Sequence, residues 1–137
     1  MNHKGQKTIL YVDDDGDDRE LLAHAIQTVD SEVNVVLMEN GLKAMDYLNS
    51  SKEKKSALPC LIVLDLNMPY LNGRQTLELI RKDEGLQEIP VIIFSSSENP
   101  NDKATFNSLG IEYFTKPTNI SFIHSIATHM VGACGQE

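Results

Sequence analysis

The feature of this sequence that most constrains its fold is a regular alternation of short apolar runs with segments of helical period. The runs predicted as strands are residues 8–12, 33–38, 60–64, 91–94 and 111–115. The segments between them repeat apolar residues at spacings of three and four, as one face of an α-helix requires. Strict alternation of strands and helices favours parallel strands joined by right-handed crossovers. The sequence therefore predicts an α/β fold, a doubly wound five-stranded parallel sheet with helices on both faces.

The last two predicted helices differ in character. Pro100 and Gly110 bracket the fourth, which is unusually polar, because proline fits the first turn of a helix and glycine follows its end. The last helix carries an apolar stripe that predicts a buried face, formed by Ile120, Ile123, Ile126, Ala127 and Met130. Phe122 is left open between the core and an exposed docking surface.

One domain accounts for the chain. Its 137 residues suit a single compact unit, which we place at residues 8–131, between a disordered N-terminus at 1–7 and a C-terminal tail at 132–137. Cys60 is predicted as a small buried side chain and Cys134 as part of the tail, and neither has zinc-binding spacing. No apolar run approaches the roughly 20 residues of a membrane helix, and the N-terminus lacks the apolar stretch of a signal peptide. We therefore expect a cytoplasmic protein with no membrane partner.

The charge balance excludes one class of partner. The chain has 20 acidic and 12 basic residues, a net charge of −8. Nucleic-acid-binding domains usually present a basic face, whereas the basic concentration at residues 52–55 is interrupted by Glu53 and is typical of a solvated loop. No glycine-rich phosphate-binding motif follows any predicted strand. We expect neither a nucleic-acid partner nor a bound nucleotide.

An aspartate cluster follows the first predicted strand. Asp13 and Asp14 come directly after a buried run, where adjacent carboxylates repel each other unless a cation neutralises them. Ligands of doubly wound sheets gather at this carboxyl end of the strands. Farther along, Asp17 or Asp18 is predicted to cap the first helix.

A further aspartate, Asp65, follows the third predicted strand. An aspartate in this position often serves only as a turn or cap residue. In a doubly wound sheet, however, the end of this strand should lie beside the end of the first, so Asp65 should face Asp13 and Asp14. An oxygen-only set of ligands suits Mg²⁺, with Mn²⁺ as the alternative. Asn67 is a candidate to add its backbone carbonyl to that site.

The fourth and fifth predicted strands lead to Ser95 and Lys116. A serine there is usually a loop residue and a lysine is ordinarily exposed, but both would point into the acidic pocket. The combination predicts phosphoryl transfer to a carboxylate. Asp65 would be the nucleophile, while the Ser95 hydroxyl and the Lys116 ammonium would hold phosphoryl oxygens.

Four motifs in order carry these residues: Tyr-Val-Asp-Asp-Asp at 11–15, Leu-Asp-Leu-Asn-Met-Pro at 64–69, Ile-Pro-Val-Ile-Ile-Phe-Ser at 89–95 and Tyr-Phe-Thr-Lys-Pro at 113–117. In this order and spacing the chain resembles the receiver domain of two-component response regulators. It is similar to small single-domain regulators of the chemotaxis-regulator-like and phytochrome-partner-like type. The resemblance implies a flavodoxin-like strand order 2-1-3-4-5 and a phosphoryl donor on a sensor histidine kinase, which a phytochrome-like kinase would supply.

The resemblance also implies a role for each matching residue. The phospho-acceptor is Asp65, the acidic metal pair is Asp13 and Asp14, the metal-bound carbonyl is that of Asn67, the switch hydroxyl is Ser95 and the phosphate-binding lysine is Lys116. Tyr113 matches an aromatic switch whose ring turns inward when the hydroxyl moves towards the phosphate. The Lys116–Pro117 peptide bond is expected to be cis, which proline allows at low cost.

Signal output is expected through a surface of the fourth helix, fifth strand and fifth helix, to which Phe122 and His124 are candidates to contribute. The partner there would be a downstream protein target or a phosphotransfer protein. The sequence leaves open whether the protein acts as a monomer or a homodimer.

Two other functions compete with the switch. A phosphatase of the haloacid dehalogenase type would need a second acid two residues after its nucleophile, where this chain has Asn67. A constitutive binding module would not need the acceptor, acidic pair, hydroxyl and lysine that are all present. We therefore expect a protein that is not an enzyme towards other substrates and catalyses only its own phosphorylation and dephosphorylation at Asp65.

Overall fold

The computed structural model describes residues 7–54, 58–97 and 99–134. In that part of the chain, five parallel strands form one sheet in the order β2-β1-β3-β4-β5. They are β1 Thr8–Val12, β2 Asn34–Met38, β3 Leu61–Leu64, β4 Val91–Ser95 and β5 Glu112–Thr115. This confirms the predicted doubly wound sheet and the strand order that the resemblance implied.

Helices cover both faces of the sheet, as predicted. They are α1 Gly16–Val29, α2 Gly41–Lys52, α3 Gly73–Lys82, α4 Pro100–Ser108 and α5 Ile123–Cys134. Alternate residues of β1 face opposite sides because side chains in a strand alternate. Leu10 packs in one core cluster with residues of α2, α3 and α4, and Ile9 packs in a second cluster with residues of α1 and α5. Among the described residues, no helix is long and apolar enough to cross a bilayer.

The start of the last helix differs from the prediction. Ile120–Phe122 forms a short 3₁₀ turn, and the Asn119 side chain caps it by accepting a hydrogen bond from the Ser121 amide. Ile120 is 64% exposed and Phe122 is 59% exposed. The predicted apolar stripe was therefore wrong at Ile120, because the cap starts a separate turn there. Phe122, left open from sequence, lies on the surface.

The end of the last helix and the two cysteines also differ from expectation. α5 continues to Cys134, so residues 132–134 of the predicted tail are helical, whereas residues 1–6 and 135–137 lie outside the described residues. Cys134 is buried and forms a disulfide with Cys60, with the two Cα atoms 5.0 Å apart. The cysteines are 74 residues apart in sequence. This pairing was not predicted because it depends on where α5 ends above the start of β3.

Candidate functional site

The sheet brings the ends of β1 and β3 together. The strands pair in parallel with Val12 beside Leu64, so the next residues, Asp13 and Asp65, emerge at the same edge. The Asp65 amide donates to the Val12 carbonyl at 3.0 Å, and the Asp13 amide donates to the Met38 carbonyl at 3.0 Å. The backbone ladder therefore holds both carboxylates at the carboxyl ends of the strands, where ligands of such sheets gather.

Among the residues that the structure describes, three carboxylates converge at this edge. Asp13, Asp14 and Asp65 each offer an oxygen, and these oxygens all lie within 4.8 Å of one another. Asp13 and Asp65 are buried, whereas Asp14 is exposed. The set contains only hard oxygen donors and would carry a strong negative charge without a cation. These properties fit a divalent metal ion of the Mg²⁺ or Mn²⁺ class.

The Lys116 side chain turns into the acidic cluster. Its Nζ lies 2.7 Å from Asp13 Oδ2, 2.8 Å from Asp18 Oδ2 and 3.3 Å from Asp65 Oδ2. Burial alone would lower the pKa of Lys116, but hydrogen bonds to Asp13 and Asp18 outweigh it and raise that pKa well above its usual value. The side chain therefore stays a protonated ammonium at physiological pH.

The backbone beside Lys116 corrects one expectation. The described residues contain no cis peptide bond, so the Lys116–Pro117 bond is trans and the implied cis bond is wrong here. A trans bond before proline is favoured by about 0.5–1 kcal/mol. The Lys116 amide donates to the Ser95 carbonyl at 2.8 Å, and the lysine reaches its carboxylate partners from this trans backbone.

Asp65 sits in an environment that disfavours its charge. Burial raises the pKa of Asp65, the nearby Asp13 carboxylate raises it further, and Lys116 offsets these effects only in part. The Ser95 hydroxyl and the Asn67 amide also favour the charged form. Ser95 is fully buried at the end of β4. An added cation would relieve the repulsion between the two buried carboxylates.

Tyr113 on β5 points towards the loop that follows β4. Its hydroxyl donates to the Ser97 carbonyl at 2.8 Å. Its ring packs against Phe106 of α4 with a centroid distance of 5.9 Å, and the Lys103 ammonium lies 5.7 Å from the ring centroid. The Ser97 amide in turn donates to Ser95 Oγ at 3.3 Å. A continuous set of contacts therefore joins Ser95 to the half-buried Tyr113.

Comparison with known proteins identifies the fold family. The family model described as the response regulator receiver domain matches residues 9–128 of this chain. The chain belongs to this receiver domain family. The match confirms the resemblance and the predicted place of the chain in two-component signalling, in which phosphorylation of an aspartate is typical.

Curated and solved relatives agree with this assignment. Response regulator Rcp1 of Synechocystis sp. is 34% identical over 116 residues, which cover 83% of this chain and 79% of Rcp1. Two-component response regulator ARR16 of Arabidopsis thaliana is 28% identical, covering 94% of this chain and 83% of ARR16. The structure of the phosphorylated cyanobacterial phytochrome response regulator RcpA superposes with a TM-score of 0.80 at 33% identity, covering 91% of each chain. The Mn²⁺-bound form of Rcp1 gives 0.78 at 30% identity, covering 90% of each.

The receiver domain brings together the side chains of the predicted acidic site. Asp13, Asp14, Asp65 and Lys116 meet at one edge of the sheet. The roles assigned to these residues, to Ser95 and to Tyr113 stay predictions. So does the Asn67 carbonyl ligand, although the Asn67 amide lies 3.5 Å from Asp65 Oδ1.

Two residues that contact the site were not predicted from sequence to do so. The first is Asp18, which pairs with Lys116, a residue 98 positions away. Asp17 or Asp18 was predicted to cap α1, and this was wrong, because the cap is Asp15, whose side chain accepts hydrogen bonds from the Asp17 and Asp18 amides. The second is Tyr11, whose hydroxyl donates to Asp13 Oδ2. The alternation of β1 already places Tyr11 and Asp13 on one face, but nothing local links Asp18 to Lys116.

Proposed function

We propose that this receiver domain accepts a phosphoryl group on Asp65 from a sensor histidine kinase, in a Mg²⁺-dependent reaction that changes a protein-binding surface. One observation carries the proposal. Asp65 is buried beside two further carboxylates whose oxygens lie within 4.8 Å, and the Lys116 ammonium is 3.3 Å from its Oδ2. This combination supports a role for Asp65 as a nucleophile, in a site whose carboxylates would bind a cation and whose ammonium would bind phosphoryl oxygens.

The acidic cluster would hold the metal ion. Asp13, Asp14 and Asp65 would supply carboxylate oxygens and Asn67 its backbone carbonyl, with Mg²⁺ preferred and Mn²⁺ accepted. A bound ion would supply charge neutralisation between the carboxylates and the phosphoryl oxygens. The Mn²⁺-bound structure of the relative Rcp1 supports this choice of metal class.

The transfer itself is a displacement at phosphorus. An Asp65 carboxylate oxygen forms the new bond, and the bond that breaks joins phosphorus to an imidazole nitrogen of the kinase's phosphohistidine. Lys116 stays protonated and would bind one phosphoryl oxygen, while the buried Ser95 hydroxyl would bind another. The same residues would serve hydrolysis, in which a water oxygen forms the new bond to phosphorus and the bond from phosphorus to the Asp65 oxygen breaks. The chain would therefore catalyse only its own phosphorylation and dephosphorylation.

The switch would run from Ser95 to Tyr113. Movement of the Ser95 hydroxyl towards a phosphoryl oxygen would break its contact with the Ser97 amide, and Tyr113 is bound to the Ser97 carbonyl. Displacement of the loop would therefore reposition the ring against α4. The surface of α4, β5 and α5 would then engage a downstream protein target or a phosphotransfer protein, as a monomer or a homodimer.

The relatives suggest the kind of kinase. RcpA is a phytochrome response regulator, and a bacteriophytochrome response regulator superposes with a TM-score of 0.74 at 28% identity, covering 93% of this chain and 94% of its own. We propose a phytochrome-like histidine kinase as the phosphoryl donor. The protein would then act in the cytoplasm, where such kinases meet ATP.

Intact mass spectrometry after incubation with acetyl phosphate tests the proposal. We expect a Mg²⁺-dependent gain of one phosphoryl group that hydroxylamine removes. Asp65→Asn should abolish the gain, whereas Asp46→Asn, a control on the exposed side of α2, should not. Absence of labelling by acetyl phosphate and by phytochrome-type kinases would contradict the proposal and favour a constitutive binding module.

A further inference from the structure

Asp18 contacts the site without belonging to its metal cluster. It lies in the first turn of α1, and its Oδ2 is 2.8 Å from Lys116 Nζ. The α1 start is held in place by the Asp15 cap, and the Arg19 guanidinium donates to the Asp13 carbonyl at 2.7 Å. The backbone that carries Asp18 is thus held at the start of α1, and its carboxylate contacts Lys116 there.

The Lys116 ammonium has three N–H donors, and it has three carboxylate partners in the described part of the chain. Two of those partners, Asp13 and Asp65, are also the carboxylates that would bind the metal ion. An ammonium between them already supplies positive charge, so it competes with an incoming cation for Asp13 and Asp65. The third partner, Asp18, is free of that competition.

The Asp18–Lys116 pair is partly shielded from solvent. Only 13% of the Lys116 side chain and 34% of the Asp18 side chain are exposed. Beside the pair lies a cavity of about 30 Å³ whose other walls are mostly apolar. They are formed by Leu21, Phe94, Pro117, Ile120 and Ile123. Water screens such a pair less than it screens a pair on the open surface.

We propose that Asp18 is a positioning residue for Lys116. When a metal ion binds Asp13 and a phosphoryl group is attached to Asp65, Asp18 keeps the Lys116 ammonium at the rim of the site. The inference rests on the proposed function and assigns Asp18 a part in it. Without Asp18, the carboxylate partners left to Lys116 among the described residues are the two metal-binding ones, and Lys116 opposes metal binding more strongly.

Calorimetric titration of the full chain with Mg²⁺ tests this. Asp18→Asn keeps the shape of the side chain and removes its charge, and we expect it to weaken Mg²⁺ affinity about 3- to 10-fold. The matched control is Asp17→Asn, which removes the same charge from an exposed neighbour in the same helical turn. The control should change affinity less than about twofold, because exposed charges are screened. Asp18→Glu should restore part of the loss, since its carboxylate still reaches Lys116.

A double-mutant cycle separates positioning from long-range attraction between Asp18 and the ion. In a Lys116→Met background there is no ammonium to place, so Asp18→Asn and Asp17→Asn should have equal, small effects on Mg²⁺ affinity. Urea unfolding of the metal-free variants gives a second readout, in which Asp18 and Lys116 should be coupled and Asp17 and Lys116 should not.

Each outcome has one meaning. Equal effects of Asp18→Asn and Asp17→Asn in the natural background would overturn the positioning role while leaving the proposed function intact. No Mg²⁺ binding by the unaltered protein would overturn both. A difference between the two variants that survives in the Lys116→Met background would assign Asp18 to direct attraction of the ion and also overturn the inference.

Discussion

At the scale of single residues, Asp65 is the clearest example of a site residue whose charge destabilises the folded protein. It is 5% exposed and lies beside the fully buried Asp13. Burial raises the pKa of Asp65, the Asp13 charge adds to this, and the charge of Lys116 does not cancel it. The metal-free protein therefore retains electrostatic repulsion that a cation would relieve.

This repulsion predicts a pH-dependent effect of Asp65→Asn. Because the folded-state pKa of Asp65 is raised, its protonated form stabilises the fold fully below the unfolded pKa of about 4. That stability is lost as the pH rises through the folded-state pKa. In metal-free buffer that contains a chelator, Asp65→Asn should therefore raise the free energy of unfolding at neutral pH, by on the order of 1 kcal/mol.

Urea unfolding from pH 4 to pH 7 measures this effect. The advantage of Asp65→Asn should shrink as the pH falls, and saturating Mg²⁺ should stabilise the natural protein more than the variant. An advantage that is largest at pH 4 would show that the Asp65 charge is not the source of the repulsion.

Gly73, at the start of α3, packs closely against the backbone of Asp65 and Leu66. A Cβ atom at this position would clash with the Asp65 carbonyl oxygen and would lie 2.8 Å from the Leu66 Cα, both backbone atoms. Gly73→Ala should therefore displace the chain that carries the acceptor and cost about 1–3 kcal/mol of stability. Gly132 in α5 is the matched control, since no described residue comes within 4 Å of the place where its Cβ would stand and alanine favours helices.

Thermal or urea unfolding of the two glycine variants checks this contrast. Gly132→Ala should be neutral or stabilising by up to about 1 kcal/mol. Equal stability of Gly73→Ala and the natural protein would mean that the α3 start does not constrain the backbone at Asp65.

At the scale of elements, the disulfide ties the beginning of β3 to the end of α5. Cys60 precedes β3, so the bond lies at the amino ends of the strands, opposite Asp65. Closing a segment of 74 residues restricts the unfolded chain, and the chain-entropy account gives an upper value of about 4 kcal/mol for such a loop.

Reduction should therefore lower the urea midpoint of the natural protein and leave the Cys60→Ser/Cys134→Ser double variant unchanged. Labelling of Asp65 by acetyl phosphate should persist in both, because the bond is at the far edge of the sheet. Recovery of two alkylated thiols from the unreduced protein would contradict the pairing.

Most elements could be predicted because their signals are local. The apolar run 91–94 differs from β4 by one residue, and Thr8–Val12 is β1 as predicted. The 3₁₀ turn at Ile120–Phe122 was missed because Ile120 fits the spacing of the helix that follows. The disulfide was missed because its partners meet only through the packing of α5 on the sheet.

For the whole molecule, the alternation of strands and helices is compatible with few sheet topologies. In this topology the residues that follow the carboxyl ends of the strands lie at one edge of the sheet. That is why Asp13, Asp65 and Lys116 could be placed together from sequence. The Asp18–Lys116 contact could not be, because the two residues are 98 positions apart and meet only through their side chains. Periodicity predicts which face of an element is buried, but not which two side chains meet across the site.

The most direct test of the proposed switch is the location of the phosphoryl group. Borohydride reduces an aspartyl phosphate to homoserine, which peptide mapping by tandem mass spectrometry then locates in the sequence. We predict homoserine at position 65 after treatment with acetyl phosphate and Mg²⁺, and none when Mg²⁺ is withheld. Homoserine at Asp13 or Asp14, or none at any position in a phosphorylated sample, would contradict the assignment of Asp65 as the acceptor.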